Sequence, residues 1–251
     1  MIKNKSLFYI FHMLFLQALL SNKVIANNID PVKKNNSKEC VILLHGLARS
    51  SRSMSKIAEK LSLEKYITIN HDYPSTKFAI SELAEKEIPI ALKKCALKKA
   101  QKIHFVAYSM GGILVRYYLQ ENEIKNLGRV VMLGSPNQGS EVVDKLSNVP
   151  GFEAINGPAG NELGTDSESV PNKLGPANFE LGVIAGNSSV NLILSQLIPG
   201  EDDGKVSVER TKLEGMKDFL VMPHSHPFIM KSDEVIDQVI YFLRNGKFSQ
   251  K

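Results

Sequence analysis

Short apolar runs alternate along the chain with longer segments whose apolar residues recur at helical spacing. The runs are continuously apolar, which predicts buried strands with both faces covered. The predicted strands are Cys40–Leu44, Tyr66–Asn70, Lys102–Val106, Arg129–Leu133, Leu181–Ala185 and Phe219–Met222. The predicted helices are Ser53–Leu63, Ile80–Leu97, Gly112–Gln120 and Asp233–Leu243. This alternation predicts an α/β fold, a mostly parallel sheet with helices on both faces.

One long segment, residues 137–178, interrupts this alternation. It is rich in Gly, Pro, Asn and Ser and has few periodic apolar runs. Long irregular insertions in compact domains are usually functional lids or disordered linkers. Because the segment follows a strand at the edge where ligands of parallel sheets bind, we predict a Gly/Pro-rich lid-like insertion.

The amino-terminal segment has the pattern of a signal peptide. A basic start precedes the apolar run Leu7–Leu20, which is too short to span a bilayer comfortably. Val24 and Ala26 occupy the −3 and −1 positions of a plausible cleavage site. We therefore predict a signal peptide over 1–26, a single domain over 27–251, and export to the periplasm or the medium. An uncleaved membrane anchor is the alternative.

Composition and charge are ordinary for a globular protein and do not favour nucleic-acid binding. The chain has 251 residues, 43% hydrophobic and 23% charged, which is ordinary globular usage. The formal net charge is +5, but Lys3, Lys5 and Lys23 lie in the predicted signal peptide, whose removal would leave +2. The basic balance therefore gives no support for a nucleic-acid partner. The sequence leaves the oligomeric state open.

Two cysteines, Cys40 and Cys95, occur in the chain. Cys40 opens a predicted strand and Cys95 lies near the end of a predicted helix. Helices of a parallel α/β fold run antiparallel to the strands, so both residues belong to the same edge of the sheet. In an exported protein this arrangement favours a disulfide; two buried free thiols are the alternative.

The stretch AYSMGG, residues 107–112, joins a predicted strand directly to a predicted helix. A turn this sharp forces its apex, Ser109, into an uncommon backbone conformation and requires small neighbours, which Ala107 and Gly111 provide. This pattern is the nucleophile elbow, usually written G-x-S-x-G, with Ala in place of the first Gly. The backbone N–H of Met110 and that of Leu47, in the HGL turn after the first strand, are the predicted oxyanion-hole donors.

A serine nucleophile needs a histidine base and an acid that orients the histidine. The last predicted strand is followed by MPHSHPFIM, where we prefer His226 as the base and keep His224 as the second choice. The preceding interval contains the EDDG turn, where Asp203 is the preferred acid and Asp202 the second choice. A solvated turn or a weak calcium site is the alternative for EDDG; no other metal site is expected. His45, His71 and His104 are expected to have structural roles.

These segments together resemble the α/β-hydrolase superfamily, and within it the bacterial lipase/esterase group. The similarity rests on VILLHGLARSSRSM, HFVAYSMGGILVRYYL, GSPNQGSEVVDKL, PGEDDGKVSVE and HPFIM, and extends from about Cys40 to Phe248. It implies an α/β-hydrolase fold and a triad of Ser109, Asp203 and His226. Many members have His at the position of Tyr108, so Tyr108 is expected to alter the fit of the substrate.

The predicted function is a serine carboxylic-ester hydrolase that acts through an acyl-enzyme and needs no cofactor. The same residues would serve a lipid acyltransferase or a phospholipase, with the insertion opening at a lipid surface in transient contact. A non-catalytic exported binding protein on the hydrolase scaffold is the third hypothesis. The expected partner is an ester or lipid substrate, whose acyl-chain length the sequence leaves open.

Overall fold

A computed structural model describes residues 38–250, and within that range six strands form one sheet in the order β2-β1-β3-β4-β5-β6. Every adjacent pair of strands is parallel. The strands are β1 (Glu39–Leu44), β2 (Ile67–His71), β3 (Lys102–Tyr108), β4 (Leu127–Leu133), β5 (Leu181–Gly186) and β6 (Asp218–Met222). The predicted fold class is confirmed. The predicted signal peptide, residues 1–26, lies outside the described residues.

Helices connect these strands and cover the sheet. They are α1 (Ser55–Leu63), α2 (Ile80–Leu97), α3 (Met110–Glu121), α4 (Glu141–Leu146), α5 (Phe152–Asn161), α6 (Val170–Lys173), α7 (Leu192–Ser195), α8 (Val208–Thr211) and α9 (Asp233–Asn245). Among residues 38–250, no helix combines the length and the apolar character needed to cross a bilayer.

Alternate side chains of β1 pack into two separate apolar layers, one on each face of the sheet. Ile42 and Leu44 point toward α2 and α3, and Val41 and Leu43 point toward α1 and α9. All of these side chains are fully buried. Because both faces of the central strands are covered, the strands are continuously apolar, which is the pattern that predicted them.

A disulfide joins β1 to α2. Cys40 in β1 and Cys95 in the last turn of α2 are bonded, with their Cα atoms 5.9 Å apart. Both residues are fully buried in the layer of α2 and α3. The structure thus contains the predicted bridge, at the edge of the sheet opposite the carboxyl ends of the strands.

The insertion 137–178 is more regular than its composition indicates. It contains α4, α5 and α6, and α5 is kinked at Gly157, whose φ is +67°. The buried Arg116 of α3 supports the insertion by donating hydrogen bonds to backbone carbonyls. The acceptors are the carbonyl groups of Asn137, Pro171, Leu174 and Gly175. The prediction of an irregular segment was therefore wrong, whereas its role as a lid stays a prediction.

Candidate active site

Ser109 occupies a strained corner between β3 and α3. Its φ is +54° and its ψ is −125°, an uncommon backbone conformation for a residue other than Gly. Such conformations cost about 1–3 kcal/mol and cluster at functional sites. The strand runs on to Tyr108 and the helix begins at Met110, two residues earlier than predicted. Only Ser109 thus separates the two elements.

Small residues around the corner allow the backbone segments to approach closely. A Cβ on Gly111 would lie 2.8 Å from the carbonyl oxygens of Leu44 and His45. A Cβ on Gly46 would lie 3.0 Å from the Cβ of Ser109. The HGL turn after β1 and the elbow after β3 are therefore packed against each other without room for a side chain between them.

The structure brings Ser109, His226 and Asp203 together in a hydrogen-bonded chain. The Oγ of Ser109 lies 3.0 Å from Nε2 of His226. Nδ1 of the same ring lies 2.7 Å from Oδ2 of Asp203. These distances suit proton transfer from the hydroxyl to the imidazole while the carboxylate holds the ring orientation.

Asp203 is fully buried, and its position is set by its own backbone contacts. Its Oδ1 accepts hydrogen bonds from the N–H groups of Lys205 and Val206, at 3.0 and 2.9 Å. The N–H of His226 donates to the Asp203 carbonyl oxygen at 2.8 Å. The EDDG turn and the loop that contains His226 are thus joined by both backbone and side-chain hydrogen bonds. The segment after the turn continues into α8, which begins at Val208.

The second-choice residues point elsewhere. Nε2 of His224 lies 3.0 Å from Oγ of Ser232, at the start of α9. Oδ1 of Asp202 accepts from the N–H of Gly204 at 2.7 Å, and its Oδ2 accepts from the hydroxyl of Ser195. Neither His224 nor Asp202 is hydrogen-bonded to Ser109. Their partners thus differ from those of the preferred residues His226 and Asp203.

The remaining described histidines are buried in structural contacts. The ring of His45 stacks on Tyr73 with centroids 4.0 Å apart, and Nε2 of His71 lies 3.0 Å from Oε2 of Glu87. Nδ1 of His104 accepts a hydrogen bond from the N–H of Arg129 at 2.9 Å. Burial lowers the pKa of all three rings. The lowered pKa values favour the neutral form of all three rings, and the hydrogen bonds found for these rings are made to residues other than Ser109.

The predicted oxyanion donors lie beside the serine. Met110 is the first residue of α3, where backbone N–H groups lack intrahelical acceptors and the helix dipole is positive. Leu47 and Ser109 line the same cavity. Among the backbone hydrogen bonds found within residues 38–250, none is donated by Leu47 or Met110. Both N–H groups are thus available to a negatively charged oxygen.

Tyr108 has a role that sequence reasoning missed. Its hydroxyl donates a hydrogen bond to the carbonyl oxygen of His226 at 2.9 Å, and the two rings lie 5.1 Å apart. Burial, reinforced by the charge of Asp203, raises the pKa of Tyr108, so the phenol stays protonated as a donor. The sequence signal was its place inside the elbow, next to the serine.

A cavity of about 470 Å³ opens beside Ser109 and His226. This is within the usual size range of small-molecule sites. Its apolar wall comes mainly from the insertion, with Val142, Val143, Leu146, Phe152 and Ile155. The cavity can therefore hold an apolar chain next to the serine. Sequence reasoning placed the insertion near the site but identified none of these lining residues.

A metal centre is not formed by the described residues. Within 38–250, no group of three or more His, Cys, Asp or Glu side chains is arranged to hold a metal ion. In the EDDG turn, the carboxylates of Asp202 and Asp203 accept the hydrogen bonds given above, and Oε2 of Glu201 accepts one from Nδ2 of Asn187 at 3.1 Å.

Comparison with solved structures finds the same fold in bacterial enzymes. The mature lipase BlEst2 of Bacillus licheniformis superposes with a TM-score of 0.66 at 19% identity, covering 86% of this chain and 96% of that chain. The phospholipase PlaB of Legionella pneumophila superposes with a TM-score of 0.64 at 17% sequence identity, covering 84% of this chain and 59% of that chain. An esterase of Thermogutta terrifontis superposes with a TM-score of 0.56 at 15% sequence identity, covering 84% of this chain and 91% of that chain.

Comparison at the level of sequence identifies the family. No curated protein sequence matches the chain. The family model described as palmitoyl protein thioesterase matches residues 40–179, more than half of the chain, from β1 through the elbow and the insertion. The chain therefore belongs to the palmitoyl protein thioesterase family, a lipase-like family of α/β-hydrolases.

Proposed function

We propose that this hydrolase is a serine esterase that cleaves fatty acyl esters through an acyl-enzyme on Ser109. The observation that carries the proposal is the continuous chain from Ser109 Oγ through His226 to Asp203, at 3.0 and 2.7 Å. The serine of this hydrogen-bonded series lies in a strained corner beside an apolar cavity. Hydroxyl, base and acid have the geometry that nucleophilic catalysis requires.

Acylation begins with the hydroxyl of Ser109. His226 Nε2 takes the serine proton as Oγ attacks the ester carbonyl, and Asp203 stabilises the imidazolium that forms. The carbonyl oxygen becomes negatively charged and is held by the N–H groups of Leu47 and Met110. His226 then gives its proton to the leaving alcohol, which departs and leaves the acyl group on Oγ.

Deacylation repeats these steps with water as the nucleophile. His226 takes a proton from water, the hydroxide attacks the acyl carbonyl, and the same N–H groups hold the second oxyanion. The collapse of this intermediate returns the proton from His226 to Ser109 and releases the fatty acid. If an alcohol replaces the water, the same residues produce acyl transfer, so the acceptor decides between hydrolase and acyltransferase.

The substrate is proposed to carry an acyl chain that lies along α4 and α5. The apolar side chains of the insertion supply the surface for it. Thioesters are a second substrate class, favoured by the description of the family that matches the chain. The attack on a thioester carbonyl uses the same serine, histidine and oxyanion donors.

We also propose that the protein is exported. The apolar segment Leu7–Leu20 and the cleavage pattern ending at Ala26 support export. The Cys40–Cys95 disulfide supports an oxidising compartment, because such bonds are rare in reducing cytosol. Recovery of the protein with its amino terminus at Asn27 from the periplasm or medium would agree; an intact amino terminus in the membrane fraction would indicate an anchor instead.

The activity is tested by turnover of p-nitrophenyl esters of increasing chain length and of matching acyl thioesters. We expect the wild type to hydrolyse them and Ser109→Ala to lose at least about 10³-fold in kcat/KM. Ser62→Ala is the matched control, because Ser62 is exposed on α1 and is not among the residues that line the cavity. Full activity in Ser109→Ala would overturn the proposed nucleophile.

A further inference from the structure

Two cationic side chains, Arg49 and Lys205, line the same cavity as Ser109 and His226. Arg49 follows the HGL turn after β1, and Lys205 follows the EDDG turn that supplies Asp203. Both residues are exposed, so they lie where the cavity opens to solvent. Neither charge has a role in the catalytic steps proposed for Ser109, His226 and Asp203.

In the described part of the chain, the lining of the cavity contains no carboxylate, and the nearby charge of Asp203 offsets that of Lys205 only in part. Within residues 38–250, neither Arg49 nor Lys205 forms a salt bridge. The opening beside the serine is therefore a region of positive potential, which attracts anions.

The two charges also affect each other. Burial of part of the side chain, followed by the positive charge of Arg49, lowers the pKa of Lys205 against the smaller opposite effect of Asp203. Arg49 also reaches the hydroxyl region of Tyr108, whose pKa it lowers against the stronger effect of burial. Arg49 thus lies within electrostatic range of both Lys205 and the elbow. A bound anion would relieve this repulsion.

The backbone of Lys205 is held firmly at the site. Its N–H donates to Oδ1 of Asp203 at 3.0 Å, and its carbonyl oxygen accepts from the hydroxyl of Ser140 at 2.7 Å. Ser140 directly precedes α4, which forms part of the apolar wall. The backbone of Lys205 is therefore joined by one hydrogen bond to the segment that begins the apolar wall, which places the base of its side chain beside that wall.

From these contacts we infer that Arg49 and Lys205 form a subsite for an anionic phosphate on the leaving-group side of the substrate, which makes the preferred substrate a glycerophospholipid. This inference rests on the proposed esterase function. The acyl chain takes the apolar wall, the ester carbonyl meets Ser109, and the phosphate lies between the two cations. Charge-assisted hydrogen bonds from Arg and Lys to phosphate are the strong ones in such sites.

The position of the cations selects this class among acyl substrates. Both line the same cavity as the nucleophile, so an anion bound by them would share this cavity with the scissile carbonyl. A glycerol backbone keeps its phosphate within a few bonds of the ester carbonyl, which suits a shared cavity. In acyl-coenzyme A the phosphates are separated from the carbonyl by the long pantetheine arm, and a neutral acylglycerol has no anion.

The test compares dihexanoyl phosphatidylglycerol with dihexanoylglycerol, both as monomers in solution. We expect the ratio of their kcat/KM values to fall about tenfold in Arg49→Gln and in Lys205→Gln, and up to about a hundredfold in the double variant. Arg49→Lys should recover part of the ratio because it keeps the charge. Lys98→Gln, at the end of α2 far from the cavity lining, should leave both rates unchanged.

Other outcomes separate the alternatives. An unchanged ratio in the double variant, with both substrates turned over by the wild type, would overturn the subsite and leave the esterase function standing. A loss seen only with anionic vesicles and not with monomers would show attraction to a membrane surface and also overturn it. Inhibition by glycerol phosphate that the double variant loses would support the subsite. A wild type inactive on both substrates would contradict the esterase function itself.

Discussion

At the scale of single residues, His226 and His224 are separated by one position but have different environments. His226 joins Ser109 to Asp203, whereas His224 contacts Ser232 and is within 4.0 Å of Glu234. We expect His226→Ala to lower kcat by at least about 10³-fold, because its Nε2 is the basic atom that lies 3.0 Å from the serine hydroxyl. His224→Ala should retain most of the activity. Steady-state kinetics on one ester checks both variants, and the reverse ranking would exchange their roles.

Asp203 and Asp202 offer a second matched pair. The Asp203 carboxylate is fully buried and holds the His226 ring, whereas Asp202 contacts Gly204 and Ser195. Asp203→Asn is expected to lower kcat about 10⁴-fold with little change in KM, since the amide favours the wrong tautomer of the imidazole. Asp202→Asn should lose far less. Equal losses of kcat in folded variants would show that the turn, and not the Asp203 charge, is what matters.

At the scale of secondary-structure elements, the disulfide between β1 and α2 closes a loop with a sequence separation of 55 residues. The chain-entropy argument gives such a bridge about 4 kcal/mol of stabilisation. We expect Cys40→Ala/Cys95→Ala to lower the free energy of unfolding by roughly this amount, measured by urea denaturation. Because the bridge lies at the edge of the sheet away from Ser109, kcat should change little below the unfolding transition. A large loss of kcat in the folded variant would contradict this separation.

The sequence predicts the strands and the large helices well because burial on both faces dictates their composition. The helix Ile80–Leu97 has the predicted bounds, and each predicted strand has a counterpart in the sheet. The helices of the insertion escaped prediction because they are short. In α5, Gly157 and Pro158 also break the apolar periodicity. Their support comes from distant groups, above all Arg116, and no local pattern reveals such contacts.

The candidate site residues could be predicted where the elbow motif and chain order point to them. The elbow predicts Ser109, and the order of segments after the last strands predicts His226 and Asp203. The distances in the structure favour these residues over His224 and Asp202. Arg49 and Lys205 gave no signal, because a charged residue in a loop has the same appearance in sequence whether it faces open solvent or a cavity beside the serine.

At the scale of the whole molecule, stability should depend on pH through the buried histidines. Burial lowers the pKa of His104 from 6.5, and its neutral Nδ1 accepts from the Arg129 N–H. Below about pH 6.5, His104 therefore binds a proton in the unfolded chain but stays neutral in the folded chain. The free energy of unfolding is fully retained above that pH and falls as the pH decreases further. The directions for His45 and His71 are the same.

His104→Gln isolates one part of this dependence. We expect the fall in unfolding free energy between pH 7 and pH 4.5 to be smaller in the variant by roughly 1–3 kcal/mol, because one protonation site is gone. Urea denaturation at a series of pH values gives the two curves. Parallel curves for wild type and variant, offset by a constant, would show that His104 does not contribute to the pH dependence.

The proposed function depends on activation of the Ser109 hydroxyl by His226 and on its acylation. Intact-protein and peptide mass spectrometry after treatment with a fluorophosphonate measures this reactivity. We expect one adduct, on the peptide that contains Ser109, absent in Ser109→Ala and formed far more slowly in His226→Ala. A folded wild type that stays unlabelled, or that carries the adduct on another residue, would contradict it.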